Sequence, residues 1–210
     1  MTRLIPGFTI PIEYPSSDGK PVTQGDVPFR TFHDLRDRMK AWAKAKGGMY
    51  YGGGLFVYYQ EGDPRVRLAP DGFVAFGVPP DDRRAFKTWE EGTVPTVVFE
   101  ITHPKTRRED LVTKRAIYQN EWEVDEYFLF DPLEDYLAPS LQGFRRVRGA
   151  FQSMKMVKGK LTSRALGLKL ERGGERLVLR DAQTGELVLT EQEAEIARLK
   201  AEIEALKKKK

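Results

Sequence analysis

Asp71, Glu100 and Lys114 are the residues of this chain whose types and spacing suit phosphodiester hydrolysis. Asp71 stands in Pro70-Asp71-Gly72, a turn signal that runs straight into the apolar, aromatic pattern Phe73-Val74-Ala75-Phe76. It is therefore predicted at the start of a strand. Glu100 stands near the far end of Val94-Pro95-Thr96-Val97-Val98-Phe99-Glu100-Ile101, a β-branched and almost continuously apolar run. It is predicted at the end of a strand. If these strands pair antiparallel, the start of one lies beside the end of the other, and both carboxylates share one sheet edge. There they could hold one Mg²⁺, a hard ion that prefers oxygen ligands, activates water and neutralises charge on a phosphate.

Lys114 belongs to Thr106-Arg107-Arg108-Glu109-Asp110-Leu111-Val112-Thr113-Lys114-Arg115-Ala116-Ile117-Tyr118-Gln119, which reads as a helix opening with Thr106 and Glu109 in capping-box spacing. Leu111 lies three before it, Ile117 three after and Tyr118 four after, so Lys114 sits on the apolar stripe and is predicted to face the sheet. A nearby ammonium suits both the water and the phosphate. Each residue has a structural alternative. Asp71 also suits the second position of a Pro-Asp-Gly turn. Lys114 also suits an ordinary pair with Asp110, four residues earlier, worth about 0.3–0.5 kcal/mol on a surface. Glu100 is harder to read that way, because an acid among Val97, Val98, Phe99 and Ile101 is costly to bury without a partner.

Taken together, these residues resemble the PD-(D/E)xK nuclease superfamily, and within it a large bacterial family of restriction-endonuclease-like proteins. The resemblance rests on Pro70-Asp71, Glu100, Thr102-His103-Pro104-Lys105-Thr106, Asp110, Lys114, Tyr118, Glu126-Tyr127 and Asp131-Pro132, in that order. Leu161 to Leu168 and Thr184-Gly185-Glu186 are similar to its closing segments, so the likeness spans residues 30 to 190. It implies a restriction-endonuclease-like core. It also implies Asp71 and Glu100 as metal ligands, completed by the Ile101 backbone carbonyl, with Lys114 positioning or activating the attacking water. The chain departs from the superfamily in carrying Thr102 two residues after the acid, where a lysine is usual. In the resembled family the lysine is moved to the helix, where Lys114 matches, and Lys105 is the rival.

Length and composition set the frame. A chain of 210 residues suits one compact domain with an appendage. Its 40% hydrophobic and 11% aromatic content can supply a core, and no apolar run is long enough to predict a membrane span. With no cysteine, and only His33 and His103, disulfides, a zinc enzyme and a cysteine or serine triad have little to work with. The missing cysteines and the lack of a charged-then-apolar leader suggest a cytoplasmic setting. A net charge of +4 permits a nucleic-acid partner, although Lys207 to Lys210 supply part of it.

The elements around the site follow from pattern. Residues 1–29 read as an irregular N-terminal arm, residues 30–188 as the nuclease-like domain, and residues 189–210 as a heptad helix with a basic tail. Thr31 with Asp34 suits a helix cap, and Phe32, Leu35, Met39 and Trp42 share a face up to about Lys46. A strand pattern from Met49 to Gln60 is broken by Gly52-Gly53-Gly54. The stretch from Pro79 to Gly92 is long for a hairpin; Arg83, Arg84 and Lys87 could touch phosphates while Phe86 or Trp89 stacks on a base, and the favoured alternative is a solvated loop or short helix pinned by Trp89. Arg107 and Arg108 stand at the positive start of the predicted helix, and Lys105 precedes them.

Glu126 to Pro132 reads as a buried central strand ended by the proline and reached by a crossover, which makes the sheet mixed. The segment from Gly143 to Val188 reads as β-rich scaffold. Leu189, Ile196, Leu199, Ile203 and Leu206 form a short heptad seam capped by Thr190 and Glu193, which could lie on its own domain or, the favoured reading, join two copies as a coiled-coil homodimer.

The expectation is an α/β (α+β) protein with a mixed sheet flanked by helices. Its expected activity is Mg²⁺-dependent hydrolysis of DNA, with Mn²⁺ able to substitute. The alternative is a non-cleaving nucleic-acid-binding or assembly module on the same scaffold, motivated by Thr102.

Overall fold

The computed structural model describes residues 4–5, 8–9, 12–17, 25–102 and 108–208. A six-stranded mixed sheet forms the centre. Its order is β11 (Ala150–Ser153), β10 (Leu141–Val147), β9 (Glu126–Phe130), β8 (Val97–Ile101), β6 (Gly72–Phe76) and β3 (Met49–Gly52). Within it β8 and β9 are parallel and every other neighbouring pair is antiparallel. The parallel pair needs the crossover that the sequence led us to expect between Ile101 and Glu126.

Both faces of this sheet are covered, which explains why β8 and β9 are buried along their whole lengths. On one face Val97, Phe99 and Ile101 pack with Leu35 and Met39 of α1 (Asp26–Lys46). Leucines of a three-stranded antiparallel sheet join them, from β12 (Lys160–Ser163), β13 (Leu168–Gly173) and β14 (Arg176–Asp181). On the other face Val98, Phe73 and Leu129 pack with Tyr118 and Trp122, contributed by α3 (Arg115–Asn120) and the turn that follows it. Strand alternation puts Asp71 and Glu100 on this second face.

A smaller sheet of β4 (Val57–Tyr58), β5 (Arg67–Leu68) and β7 (Phe86–Lys87) continues that side. The short β1 (Leu4–Ile5) and β2 (Phe8–Thr9) pair with each other. The helices α2 (Thr88–Glu91) and α4 (Glu191–Lys207) complete the chain.

Three local expectations are corrected. Thr31 and Asp34 do not cap α1, which starts earlier at Asp26 with Pro28 in its first turn, a place where proline's missing N–H costs nothing. Thr31 is buried inside the helix, its Oγ1 2.9 Å from both the Val27 and Glu175 carbonyls, and Asp34 pairs with Arg38. In the Pro79–Gly92 stretch β7 runs into α2, the short helix that carries Trp89. Phe86 is fully buried and cannot stack on a base. The Met49–Gln60 strand divides into β3 and β4 at its glycines, and these two strands belong to different sheets.

Candidate active site

The register of β6 against β8 builds the site. Gly72 pairs with Phe99, so the preceding Asp71 falls opposite Glu100. The Asp71 Oδ2 accepts the Ile101 N–H at 2.7 Å, which fixes the orientation of that carboxylate. The Asp71 N–H lies 3.5 Å from Glu100 Oε2, at the outer limit of a hydrogen bond. Gly53 closes this corner from behind, where a Cβ would come within 2.8 Å of the Asp71 carbonyl oxygen.

The third group arrives from the crossover. Residues Glu109–Lys114 form a π-helical turn that runs into α3. Such widened turns recur at functional sites because the extra residue re-aims side chains. Here Lys114 is buried, with Nζ 3.1 Å from Glu100 Oε2 and 3.0 Å from Asp110 Oδ1. One turn on, the Tyr118 hydroxyl donates to Glu100 Oε1 at 2.6 Å. The Tyr127 hydroxyl donates to the Asp110 carbonyl at 3.0 Å, holding the turn to β9. Thr106, Lys105 and Arg107 lie outside the described residues, and the expected Thr106 cap lies there with them.

Electrostatics follow from three carboxylates sharing one buried ammonium. Burial is the largest influence on Glu100. Lys114 opposes it, but Asp71 and Asp110 add repulsion, and the Glu100 carboxyl is pushed up to about 8. Asp71 is raised for the same reasons, burial first, with Lys114 and the Ile101 N–H pulling the other way. Burial alone would lower the Lys114 pKa, but the attraction of Glu100, Asp110 and Asp71 outweighs it, and the group is held firmly protonated.

These donors fit a hard divalent cation better than a soft one. Among the described residues no three or more His, Cys, Asp and Glu side chains form a metal-holding cluster. The available set is therefore two carboxylates and backbone oxygen, which suits Mg²⁺, an ion commonly held by one or two carboxylates while keeping several waters. The Thr102 Oγ1 is buried without a hydrogen-bond partner among the described residues, on the strand end that carries Glu100. A hydrated ion between Asp71 and Glu100 would offset the excess negative charge.

The other expected residues are distributed more widely. Arg83 is bound within the fold: it pairs with Glu91, donates to the Pro79 and Asp81 carbonyls, and lies over the Tyr50 ring. Arg84 is exposed, and so is Arg108 at the start of the π-helical turn. Sequence reasoning missed Arg65 and Arg67. With Phe56, Leu68 and Glu109 they line an open groove of about 380 Å³ that reaches Lys114. Their only sequence signal is a pair of arginines just ahead of the Pro70-Asp71 turn. A larger cleft of about 940 Å³ lies between α1 and the start of α4, away from the carboxylates.

Glu126 and Asp131, also part of the motif order, serve the scaffold. Glu126 accepts from Arg145, Ser163 and the Arg164 N–H, tying β9 to the second sheet. Asp131 accepts the N–H groups of Leu133, Tyr136 and Leu137 and shapes the turn after β9.

Residues 10–173 match the Uma2 family, described as "Putative restriction endonuclease". The chain belongs to the Uma2 family. The fold is similar to that of a crystal structure described as a putative nuclease belonging to DUF820, from Anabaena variabilis ATCC 29413. That similarity has a TM-score of 0.51 at 15% identity and covers 75% of this chain and 86% of the other. No curated protein matches the chain. Membership of Uma2 makes this a nuclease-family protein with a restriction-endonuclease-like α/β fold, and no described helix is long and apolar enough to cross a membrane.

Proposed function

We propose that this Uma2 protein is a Mg²⁺-dependent DNA endonuclease of the PD-(D/E)xK type, with Mn²⁺ able to substitute, acting in the cytoplasm as a homodimer. The observation that carries the reading is the meeting of Asp71, Glu100 and Lys114 at one end of the β6–β8 pair. Asp71, Glu100 and the Ile101 carbonyl would hold the ion. When bound, the ion would lower the pKa of a coordinated water and stabilise charge developing on the phosphate.

The chain's own residues divide the remaining work. The Ile101 N–H and the Tyr118 hydroxyl orient the two carboxylates. Glu100 and Asp110 lie against the Lys114 ammonium and favour its charged form. The role of this lysine is to position the nucleophile and offset charge on the phosphoryl oxygens. Arg65, Arg67 and Arg108 would contact the nucleic-acid backbone beside the groove, with Lys105, Arg107 and Arg84 as further basic candidates. Arg83 is the weakest of them, since its guanidinium is both paired with Glu91 and largely buried, whereas Arg65, although paired with Asp63, is exposed.

A second reading has its own support. Thr102 occupies the usual lysine position, and Lys114 is already paired with two carboxylates. In that reading the scaffold binds nucleic acid without cutting it. The two are separated by incubating the protein and Glu100→Ala with supercoiled, linear and single-stranded DNA in Mg²⁺, Mn²⁺ or EDTA. Cleavage by the parent alone, abolished by EDTA, is expected. Equal binding by both proteins with no cleavage of any substrate would replace hydrolysis with the scaffold reading.

A further inference from the structure

The helix α4 carries an apolar seam that its own domain leaves uncovered. Ile196, Leu199, Ile203 and Leu206 are 44 to 59% exposed, and no residue of α4 is buried. Single exposed apolar residues need no explanation, but four in steps of three, four and three on one helix form a stripe. In heptad terms Ile196 and Ile203 occupy a, and Leu199 and Leu206 occupy d. β-Branched a with leucine d is the combination that favours two parallel strands.

The flanking charges point the same way. Glu195 and Glu202 occupy g, while Lys200 and Lys207 occupy e. In a parallel, in-register pair each g residue meets the e residue five positions later on the other helix. Glu195 would then meet Lys200 of the second copy, and Glu202 would meet Lys207, four attractive contacts in all. An antiparallel pair sets g against g and e against e, bringing Glu to Glu and Lys to Lys. The pattern is complementary to itself in one orientation only.

The domain also prepares this helix. Forming the first turn is the unfavourable part of making a short helix, and an isolated helix of two heptads is marginal in water. Here Thr190 and Glu193 form a reciprocal capping box, with N···O distances of 3.1 and 3.0 Å. Arg38 then clamps Glu193 while also holding Asp34 and the Val188 carbonyl. The start of α4 is thus fixed to α1, and the seam projects beyond the anchor. The ion pairs now seen within α4, Glu195 with Arg198 and Glu204 with Lys207, are exposed, so exchanging them for intermolecular pairs costs little.

We infer that the partner of this seam is a second copy of the chain, joined through a parallel, in-register two-stranded coiled coil over Ile196–Leu206 with Glu195–Lys200 and Glu202–Lys207 pairs. This deepens the homodimer part of the proposed function and does not depend on hydrolysis. It would also place two Asp71–Glu100 sites on one assembly, one for each strand of a duplex.

The test uses the full chain. Sedimentation equilibrium should give twice the 24.0 kDa chain mass for the parent. Lys200→Glu/Lys207→Glu and Glu195→Lys/Glu202→Lys should each sediment as monomers, and their equimolar mixture should return to the dimer mass. Recovery in the mixture also shows that neither variant is misfolded. Because the chain has no cysteine, Leu206→Cys alone reports orientation: oxidation should link the two copies through that position. A monomeric parent, a dimer unaffected by either charge variant, or a dimer that does not cross-link at Leu206→Cys would overturn the proposal. DNA cleavage by the monomeric variants is scored separately, so loss of the dimer and loss of hydrolysis are read apart.

Discussion

The Tyr118 hydroxyl donates to Glu100 Oε1 at 2.6 Å, so the crossover helix holds the strand carboxylate directly. That bond joins the two halves of the site. The register of β6 and β8 sets where Glu100 lies, and α3 sets which way it points. Tyr118→Phe keeps the ring packed against Trp122 and Tyr127 while removing only the donor. A hydrogen bond to a charged group contributes about 1.5–3 kcal/mol. Tyr118→Phe is therefore expected to fold and to cleave DNA about ten-fold or more slowly. Because the lost bond favoured the ionised form, the rising limb of its pH–rate profile should move to higher pH. A profile and rate matching the parent would show that the hydroxyl does not tune Glu100.

The raised Glu100 pKa has a consequence for stability without metal. The folded protein holds this proton more tightly than the unfolded chain, whose carboxyl titrates near 4.5. Stability from this group is thus greatest below about 4.5, falls as pH rises toward about 8, and is level above that. Urea unfolding in EDTA should show that decline, and Glu100→Gln should flatten it. Added Mg²⁺ should flatten it too, by stabilising the ionised carboxylates. An identical slope in the parent and Glu100→Gln would mean that Glu100 is not the group responsible.

Lys114 and Lys105 can be separated by substitution. Lys114 is the buried cation among three carboxylates, and removing one partner from a buried ion pair typically costs about 3–5 kcal/mol. Lys114→Ala should lower the midpoint of unfolding and reduce cleavage by about 100-fold or more, even at temperatures where it remains folded. Lys105→Ala should retain stability and most activity. The reverse ranking of the two in a cleavage assay would move the role to Lys105.

Gly53 offers a probe that carries no charge. Its φ is ordinary, so the constraint is space: an added Cβ would lie 2.8 Å from the Asp71 carbonyl oxygen and 3.3 Å from the Tyr51 ring. Overpacking of this kind costs about 1–3 kcal/mol. Gly53→Ala should therefore lose activity by moving the Pro70–Asp71 turn, with a smaller effect on unfolding. Full activity at parental stability would show that the turn has room to relax.

The sequence made the carboxylate end of the sheet legible because turn chemistry and strand pattern both act locally. Pro70-Asp71-Gly72 and the run to Ile101 placed Asp71 opposite Glu100, and the stripe of Leu111, Ile117 and Tyr118 turned Lys114 inward. What stayed hidden depends on contacts between distant residues. Thr31 looked like a cap, yet it is buried against the Glu175 carbonyl at the edge of the second sheet. Arg83 looked available for phosphate, yet Glu91 and Tyr50 hold it. Arg65 and Arg67 reach the groove beside Lys114 through the pairing of β4 with β5, a register that no local pattern encodes. The π-helical turn at Glu109–Lys114 is likewise invisible to a 3.6-residue period.

The most direct measurement is the rate of plasmid cleavage as Mg²⁺ is titrated into the parent, Asp71→Asn and Glu100→Gln, with folding verified by thermal unfolding. Saturable, EDTA-reversible cleavage by the parent is expected, with none above background by either folded variant. Parental rates in both variants, or cleavage by the parent that persists in EDTA, would contradict it.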